Sequence, residues 1–331
     1  MEYVKRGKSR KSIKKILDYK LKDWLKSIKD PRVQKLASLH TIVTGGCISS
    51  MLLGEEVKDF DIYFTTRETA LAVAKYYVKE FNELNPGRKN KLGYSGSAYV
   101  LDCSDSSQVE KEKAECKGAG HLLNIDDPER IKIVIRSDGV ASQDSSMLNE
   151  PFEDVFDVLD QADQTEVPTE ASEKYKPVFL SSNAITLSDK IQIVIRFFGT
   201  AEEIHKNYDF VHCTNSYELN KKELTLRPEA MEALMSRELR YQGSKYPLCS
   251  VIRTRKFLKR GWNINAGQYL KMCFQISNLD LTDLNVLEDQ LVGVDSAYFM
   301  QVIQALQHKQ NNDPNFNVDS SYLTTIIDKI F

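Results

Sequence analysis

Apolar residues recur at two spacings along the chain, and the change between them divides it. Between about residues 38 and 225, short apolar runs alternate with polar positions and turn signals, which predicts strands joined by helices. From about residue 226 onwards, apolar positions follow the three-to-four-residue spacing of amphipathic helices. We therefore predict an α+β fold in which a mixed sheet flanked by helices precedes an α-helical C-terminal domain.

The N-terminal segment has a pattern of its own. Ile13, Leu17, Leu21 and Trp24 recur at helical spacing, and the opposite face of this predicted helix is rich in lysine. The predicted organisation is a basic helical segment, an α/β domain and an α-helical domain, at residues 1–37, 38–225 and 226–331. An acidic insertion at residues 150–173 interrupts the α/β domain.

The stretch TIVTGGCISSMLLGEEVKDFDIYF, residues 41–64, carries candidate chemistry. It predicts a strand ending at glycine, a short helix closed by Gly54, and a second strand. Residues i and i+2 of a strand share a face, so Asp59 and Asp61 project together. Two such carboxylates repel each other unless a divalent cation lies between them. Because Mg²⁺ favours one or two carboxylates with substrate phosphates, we expect Asp59 and Asp61 to bind it.

The glycine pair predicts a phosphate site beside these carboxylates. Gly45 and Gly46 lack side chains, so a triphosphate can approach the backbone there. The helix that follows presents free N–H groups and a favourable dipole at its start. We expect Ser49 or Ser50 to add a hydroxyl group.

This ordered set resembles the nucleotidyltransferase superfamily that includes DNA polymerase β. Over about 20 residues, GGCISSMLLGEEVKDFDIYF is most similar to the motif of CCA-adding enzymes and bacterial poly(A) polymerases. The resemblance implies metal-dependent transfer of a nucleotide from a nucleoside triphosphate to an acceptor hydroxyl. The implied acceptor is the 3′ end of an RNA, with tRNA as one such RNA.

The resemblance also implies a third carboxylate on a neighbouring strand. Asp209 is the favoured residue, as a metal ligand and as a group that helps to deprotonate the acceptor, because the segment YDFVHCTNSYEL reads as an apolar strand. Asp102 and Asp138 are the alternatives. The strand KIQIVIRF, where the acid is expected, carries Gln192 instead. His212, in the same segment, would contact a nucleotide or complete a core hydrogen bond.

A basic segment follows the α/β domain. In YQGSKYPLCSVIRTRKFLKRGWNIN, Arg253, Arg255 and Lys256 lie on the polar side of a predicted helix, which suits contact with phosphates. Trp262 and Tyr246 lie close enough in sequence to stack on a base. The segment also resembles, in part, the Pro-Leu-Arg…Arg-x-x-Arg-Phe stretch of CCA-adding enzymes, with Cys in place of the first arginine.

Charge and cysteine content narrow the class of protein. The net charge is −2, yet residues 1–30 hold eleven Lys/Arg against four Asp/Glu, and residues 236–260 hold eight bases and one acid. The six cysteines form no CxxC pair, so no zinc site is indicated. The N-terminus does not resemble a signal peptide, and no apolar run approaches the ~20 residues of a membrane span. We expect a cytoplasmic protein with free thiols and no membrane association.

Two other functions fit the same residues. Within the same fold, the nucleotide could go to a protein side chain or a small molecule instead of RNA. Alternatively, a non-catalytic nucleic-acid-binding or assembly protein could have kept the fold, and Gln192 would be the feature that indicates it.

Overall fold

The computed structural model describes residues 6–85, 98–115, 125–135, 174–291 and 324–325. Its longer helices are α1 (Arg10–Ser27), α2 (Pro31–His40), α3 (Gly46–Leu53), α4 (Arg67–Leu84), α5 (Ser106–Glu115), α6 (Ala201–His205), α7 (Pro228–Ser236), α8 (Pro247–Lys259), α9 (Ala266–Ile276) and α10 (Leu284–Leu291). Its strands are β1 (Thr41–Thr44), β2 (Phe60–Phe64), β3 (Ala98–Asp102), β4 (Ile131–Ile135), β5 (Pro177–Leu180), β6 (Ala184–Leu187), β7 (Ile191–Phe198), β8 (Ser216–Glu218) and β9 (Glu223–Thr225). The acidic insertion, Asp138 and most of the chain after α10 lie outside the described residues.

The main sheet has seven strands in the order β5-β6-β7-β2-β1-β8-β9. β2 and β7 are parallel, and the other neighbouring strands are antiparallel. β3 and β4 form a separate antiparallel pair. The prediction of a mixed sheet flanked by helices is therefore confirmed.

The segment VFLSSNAITLSDKIQIVIRFFG, residues 178–199, has the sequence pattern of a hairpin-like pair of strands, but it contributes to three strands, β5, β6 and β7. Asp189 and Lys190 both have a φ of 60°, as a tight hairpin turn requires, so the chain reverses between β6 and β7. Residues 188–190 form this turn.

The two faces of β2 have different surroundings. Ile62 and Phe64 are fully buried in the large core that also contains Leu17 and Trp24 of α1. The Trp24 indole donates a hydrogen bond of 2.8 Å to the Tyr77 hydroxyl of α4, which ties α1 to the body of the protein. Since side chains alternate along a strand, Asp61 points away from this core.

A second, smaller core joins the helices that follow the sheet. Its buried members are Phe210, Leu234, Leu239, Tyr241, Trp262 and Met272. Two ion pairs connect these helices to the loop after α3: Glu55 lies 2.5 Å from Arg260 and 3.2 Å from Arg237. The helical region is therefore packed against the sheet on the side where Asp61 lies.

The strand predicted for YDFVHCTNSYEL is largely absent. Only Ser216–Glu218 forms a strand, while Val211–Cys213 forms a 3-10 turn. Phe210 causes the difference, because it is fully buried in the helical core and pairs there with Tyr241. Asp209 and His212 consequently do not lie on a strand.

Within the part of the chain that the structure describes, no helix is long and apolar enough to cross a membrane.

Candidate active site

Gly45 brings the end of β1 into contact with Asp61. Its φ of 96° and ψ of −154° belong to a region that essentially only glycine adopts. A Cβ atom at this position would lie 2.6 Å from Asp61 Oδ2, closer than real Cβ contacts. The Gly45 N–H donates to the Cys213 carbonyl at 3.1 Å, which holds the turn in place. Glycine is thus required here by the backbone conformation and by the carboxylate.

Gly46 begins α3 and serves a different purpose. A Cβ atom added to it would meet nothing within 4 Å, and its φ is not positive. The start of α3 therefore has open space at Gly46, next to the Asp61 carboxylate that approaches Gly45. A helix N-terminus with free space before it suits an anion.

Asp59 and Asp61 differ in their environments. Asp59 is exposed and immediately precedes β2, whereas Asp61 is half-buried within it. Burial raises the pKa of Asp61 well above its usual value, and the charge of Asp59 raises it further. Arg253 and Lys256 of α8 oppose this effect, so the charges of these two residues act on the carboxylate. The site therefore combines two acids with positive charge from the helical region.

The predicted cations of α8 separate into two groups. Arg253 and Lys256 lie three residues apart on one face, as their shared effect on Asp61 requires. Arg255 is exposed, and at roughly 100° per residue it points away from that face. The charges of Arg253 and Lys256 therefore act on Asp61, whereas Arg255 lies on another face of the helix.

Asp209 is engaged by Arg253. Asp209 Oδ2 lies 2.7 Å from Arg253 Nη1, and its Oδ1 accepts the N–H of Phe210 at 3.0 Å. Among the described residues, no three His, Cys, Asp or Glu side chains form a group that could hold a metal ion. Asp209 is therefore paired with Arg253, and in the described part of the chain it does not join Asp59 and Asp61 in a three-carboxylate metal centre.

Of the other two candidates for a third acid, the structure describes only Asp102, and it lies elsewhere. Asp102 ends β3 and forms an ion pair of 2.5 Å with Arg67, at the start of α4. That ion pair lowers the pKa of Asp102 against the effect of its burial. Asp138 is outside the described residues.

Gln192 occupies the position beside Asp61. In the parallel pairing of β2 with β7, Asp61 and Gln192 are direct partners. The strand was predicted from the sequence, but this register could not be, because parallel partners come from distant parts of the chain. A neutral amide therefore stands on the neighbouring strand where the superfamily resemblance implies an acid.

The serines of α3 point inward. Ser49 and Ser50 are both buried, and the Ser49 hydroxyl donates to the His212 carbonyl at 2.7 Å. Ser49 thus fixes the 3-10 turn behind the glycine turn. Its hydroxyl is already committed to a protein acceptor.

His212 is a core residue. Its ring centroid lies 4.1 Å from that of Trp262 and 4.8 Å from that of Phe257. Burial lowers the pKa of His212 to about 4, so the ring is neutral at pH 7. Trp262 and Tyr246 are buried as well, so the expectation that they stack on a base is wrong.

Sequence reasoning missed Cys213 and Tyr208. The Cys213 carbonyl accepts the Gly45 N–H, and the Tyr208 hydroxyl lies 3.5 Å from where a Gly45 Cβ would be. Burial raises the pKa of the Cys213 thiol and of the Tyr208 hydroxyl. The charge of Asp61 raises both pKa values further, after the effects of Asp209 on Cys213 and of Tyr63 on Tyr208. No spacing in the sequence indicates these contacts, because a 3-10 turn and a coil bring them to the site.

The chemistry of the donors fits magnesium. Asp59 and Asp61 supply hard oxygen ligands, and Mg²⁺ commonly uses one or two carboxylates together with substrate phosphates. The raised pKa of Asp61 indicates a carboxylate that a cation would stabilise in its charged form. The open space at Gly46 leaves room for those phosphates.

The fold and the site together define an α+β protein with a glycine turn and a two-carboxylate site on one face of a mixed sheet. A family model described as Gabija anti-defense 2 family protein matches residues 15–237. This match covers more than half of the 331 residues, and the chain belongs to that family. No curated protein sequence matches the chain.

Solved structures similar to the chain include three CCA-adding enzymes. The Thermotoga maritima CCA-adding enzyme complexed with tRNA_CCA has a TM-score of 0.34 and 14% identity, covering 92% of this chain and 58% of that one. A CCA-adding enzyme with CTP has a TM-score of 0.31 and 13% identity, over 92% and 57%. An apo form has a TM-score of 0.31 and 12% identity, over 90% and 56%. The chain thus spans less than two thirds of the length of these enzymes.

Proposed function

We propose that this protein is a metal-dependent nucleotidyltransferase, which moves a nucleotide from a nucleoside triphosphate to an acceptor hydroxyl. The observation that carries the proposal is the contact between Gly45 and Asp61. It places a helix N-terminus with open space directly beside a carboxylate pair. Phosphates and a divalent cation are the two partners that such a juxtaposition suits.

Each side chain has a role that follows from its position. Asp59 and Asp61 would hold Mg²⁺, which when bound neutralises the phosphate oxygens and aligns the reacting groups. Gly46 and the first turn of α3 would receive the triphosphate. Arg253 and Lys256 would add positive charge from α8 to the same phosphates.

The reaction has a simple balance. The acceptor oxygen bonds to the α-phosphorus, the bond between the α- and β-phosphates breaks, pyrophosphate leaves, and the hydroxyl proton passes to water. Asp209 is not assigned as the base, because its carboxylate is paired with Arg253. We assign it instead as a positioning residue that orients Arg253.

Two acceptor classes remain in the proposal. The motif resemblance favours the 3′ end of an RNA such as tRNA. The family's description as anti-defense favours an acceptor that belongs to a defence system, and so a protein side chain or a small molecule. Within a cell either acceptor would place the protein in the cytoplasm.

One experiment tests the proposal and separates the acceptors. The protein is incubated with each α-labelled triphosphate, magnesium, total RNA and cell protein, and the RNA, protein and small molecules are then separated. We expect label in one fraction, and none with Asp59→Ala or Asp61→Ala. Asp126→Ala is the matched control, because it removes a carboxylate that is 79% exposed and paired only on the surface. Full incorporation by Asp61→Ala would refute the assignment.

The third function class, a non-catalytic binding protein, makes the opposite prediction. Gln192 supports it, because the neighbour of Asp61 on β7 is neutral. Calorimetry distinguishes the two, because it measures the binding of RNA and of magnesium with triphosphate. Binding of RNA without binding of magnesium and triphosphate would refute the transferase proposal and support a non-catalytic binding protein.

A further inference from the structure

A second basic cluster lies away from the aspartate pair. Arg130 precedes β4 and Arg196 lies on β7, and only 3% and 6% of their surfaces are exposed. Asp127 connects the two arginines, because its carbonyl accepts the Arg130 N–H at 2.9 Å and its Oδ2 lies 3.7 Å from Arg196 Nη1. Burial lowers the pKa of Lys245, just before α8, and the charges of both arginines lower it further. Three cations from three separate parts of the chain therefore meet at one place.

The two arginines have hydrogen-bond donors without acceptors. Arg130 Nε and Nη1, and Arg196 Nε and Nη2, are buried and have no partner among the described residues. Two of their polar contacts are long: Arg130 Nη2 to Asn183 Oδ1 is 3.3 Å, and Arg196 Nη1 to Asp127 Oδ2 is 3.7 Å. A buried guanidinium group is costly unless its charge and donors are satisfied.

The acids near this cluster do not balance it. Asp127 and Asp289 act on it, both of them raising the pKa of Lys245 and Asp289 also raising that of Arg130. Burial lowers the pKa of Arg130, and the charge of Arg196 lowers it further, as expected for crowded cations. Among the described residues, three positive groups and two carboxylates leave this cluster with a positive excess.

The unused donors select the kind of anion. Besides the four arginine nitrogens, the Tyr246 hydroxyl is buried and has no partner in the described part of the chain. A carboxylate has only two oxygens, whereas a phosphate group presents three or more and suits the guanidinium fork. Lys245 is exposed and the Asp127 side chain is 40% exposed, so the cluster reaches solvent on that side.

The cluster shares its supporting elements with the aspartate site. Arg196 lies four residues beyond Gln192 on β7, which is at most about 13 Å of extended strand. Tyr246 precedes α8, and Arg253 lies seven residues further on, about 10 Å along the helix. One strand and one helix therefore carry both groups of residues.

We propose that Arg130, Arg196 and Lys245 form a phosphate-binding site, distinct from the aspartate pair, which takes a phosphate group of the acceptor. The existence of the site stands on these contacts. Only its assignment to the acceptor rests on the proposed nucleotidyl transfer.

Binding of inorganic phosphate without magnesium tests the site by itself. Calorimetry at constant ionic strength should detect binding in the wild-type protein and in Asp61→Asn. Arg196→Gln should weaken it about tenfold or more, because it removes charge-assisted hydrogen bonds. Arg32→Gln is the matched control, since it removes one charge from an arginine that is 80% exposed.

Lys245→Gln keeps the test valid if Arg196→Gln fails to fold, because Lys245 is on the surface and its loss should weaken binding several-fold. Competition then identifies the source of the phosphate: ribose 5-phosphate alone for a small molecule, or a short RNA for a polynucleotide. Absence of phosphate binding, or equal binding by Arg196→Gln, Lys245→Gln and Arg32→Gln, would overturn the site. Asp61→Asn should lose nucleotidyl transfer and still bind phosphate. This result would show that the phosphate site does not depend on the aspartate pair proposed for nucleotidyl transfer.

Discussion

Replacement of Gly45 by alanine tests the geometry on which the site depends. The φ of 96° and ψ of −154° cost an alanine roughly 1–3 kcal/mol. The new Cβ would also lie 2.6 Å from Asp61 Oδ2, so the carboxylate must move. Metal-free Gly45→Ala should therefore lose at least about 1–3 kcal/mol of unfolding free energy, or about 2–4 °C in Tm for each kcal/mol.

Urea and thermal unfolding of two matched variants measure this effect. Gly46→Ala is the control, because its Cβ meets nothing within 4 Å and its φ is not positive. It should be as stable as the wild type or gain up to about 1 kcal/mol from helix propensity, while losing triphosphate affinity. Adding Asp61→Ala to Gly45→Ala should recover the part of the lost unfolding free energy that comes from the contact between the new Cβ and the Asp61 carboxylate. Equal stability of the two glycine variants would refute the reasoning.

Three further predictions concern the charges around the site. Burial and Asp59 raise the pKa of Asp61, so the metal-free protein should lose stability as pH rises from the unfolded carboxyl pKa through the raised one. Asp61→Asn should remove this loss of stability, which unfolding measured at several pH values would show. The Asp59–Asp61 repulsion contributes up to about 2 kcal/mol, for two charges about 7 Å apart at an effective dielectric of about 20. An unchanged pH profile of stability would contradict this prediction. Asp209→Asn and Arg253→Ala should each weaken triphosphate binding, and the double variant should lose no more than Arg253→Ala; additive losses would mean that Asp209 acts independently. Lys256→Ala should weaken triphosphate binding several-fold while Arg255→Ala leaves it nearly unchanged, and equal effects in calorimetry would show that the two faces of α8 are not distinct.

Local patterns predicted the parts of the site that lie close together in sequence. The strand, glycine turn, short helix and second strand of residues 41–64 follow from alternation and turn residues, as the structure has them. Gly45 and Asp61 both belong to this segment, so their contact depends mainly on residues close together in the sequence. The mixed sheet was predictable for the same reason.

Long-range contacts explain the predictions that were wrong. Asp209 lies in an apolar segment that reads as a strand, but Phe210 enters the helical core and forces a 3-10 turn there. Trp262 was expected to stack on a base, and an amphipathic pattern does not distinguish such a ring from one that packs on His212. Arg130 and Arg196 are 66 residues apart, so no motif could connect them.

The position of Gln192 also shows that sequence patterns do not predict pairing between distant segments. Its strand and its lack of charge are visible in the sequence, while its pairing with Asp61 depends on a parallel register between distant segments. Because of this register, the residue directly beside Asp61 on β7 is a neutral amide. The Asp59–Asp61 pair is consequently proposed to act with substrate phosphates and cations of α8, without a third carboxylate from the described residues.

The most direct test of the central claim compares triphosphates labelled on the α- or the γ-phosphate. If the glycine turn and the Asp59–Asp61 pair carry out nucleotidyl transfer, only the α label should reach the acceptor, with one pyrophosphate released for each transfer. The reaction should stop on chelation of magnesium and with Asp61→Ala. Transfer of the γ label, or release of inorganic phosphate without any transfer, would contradict this account.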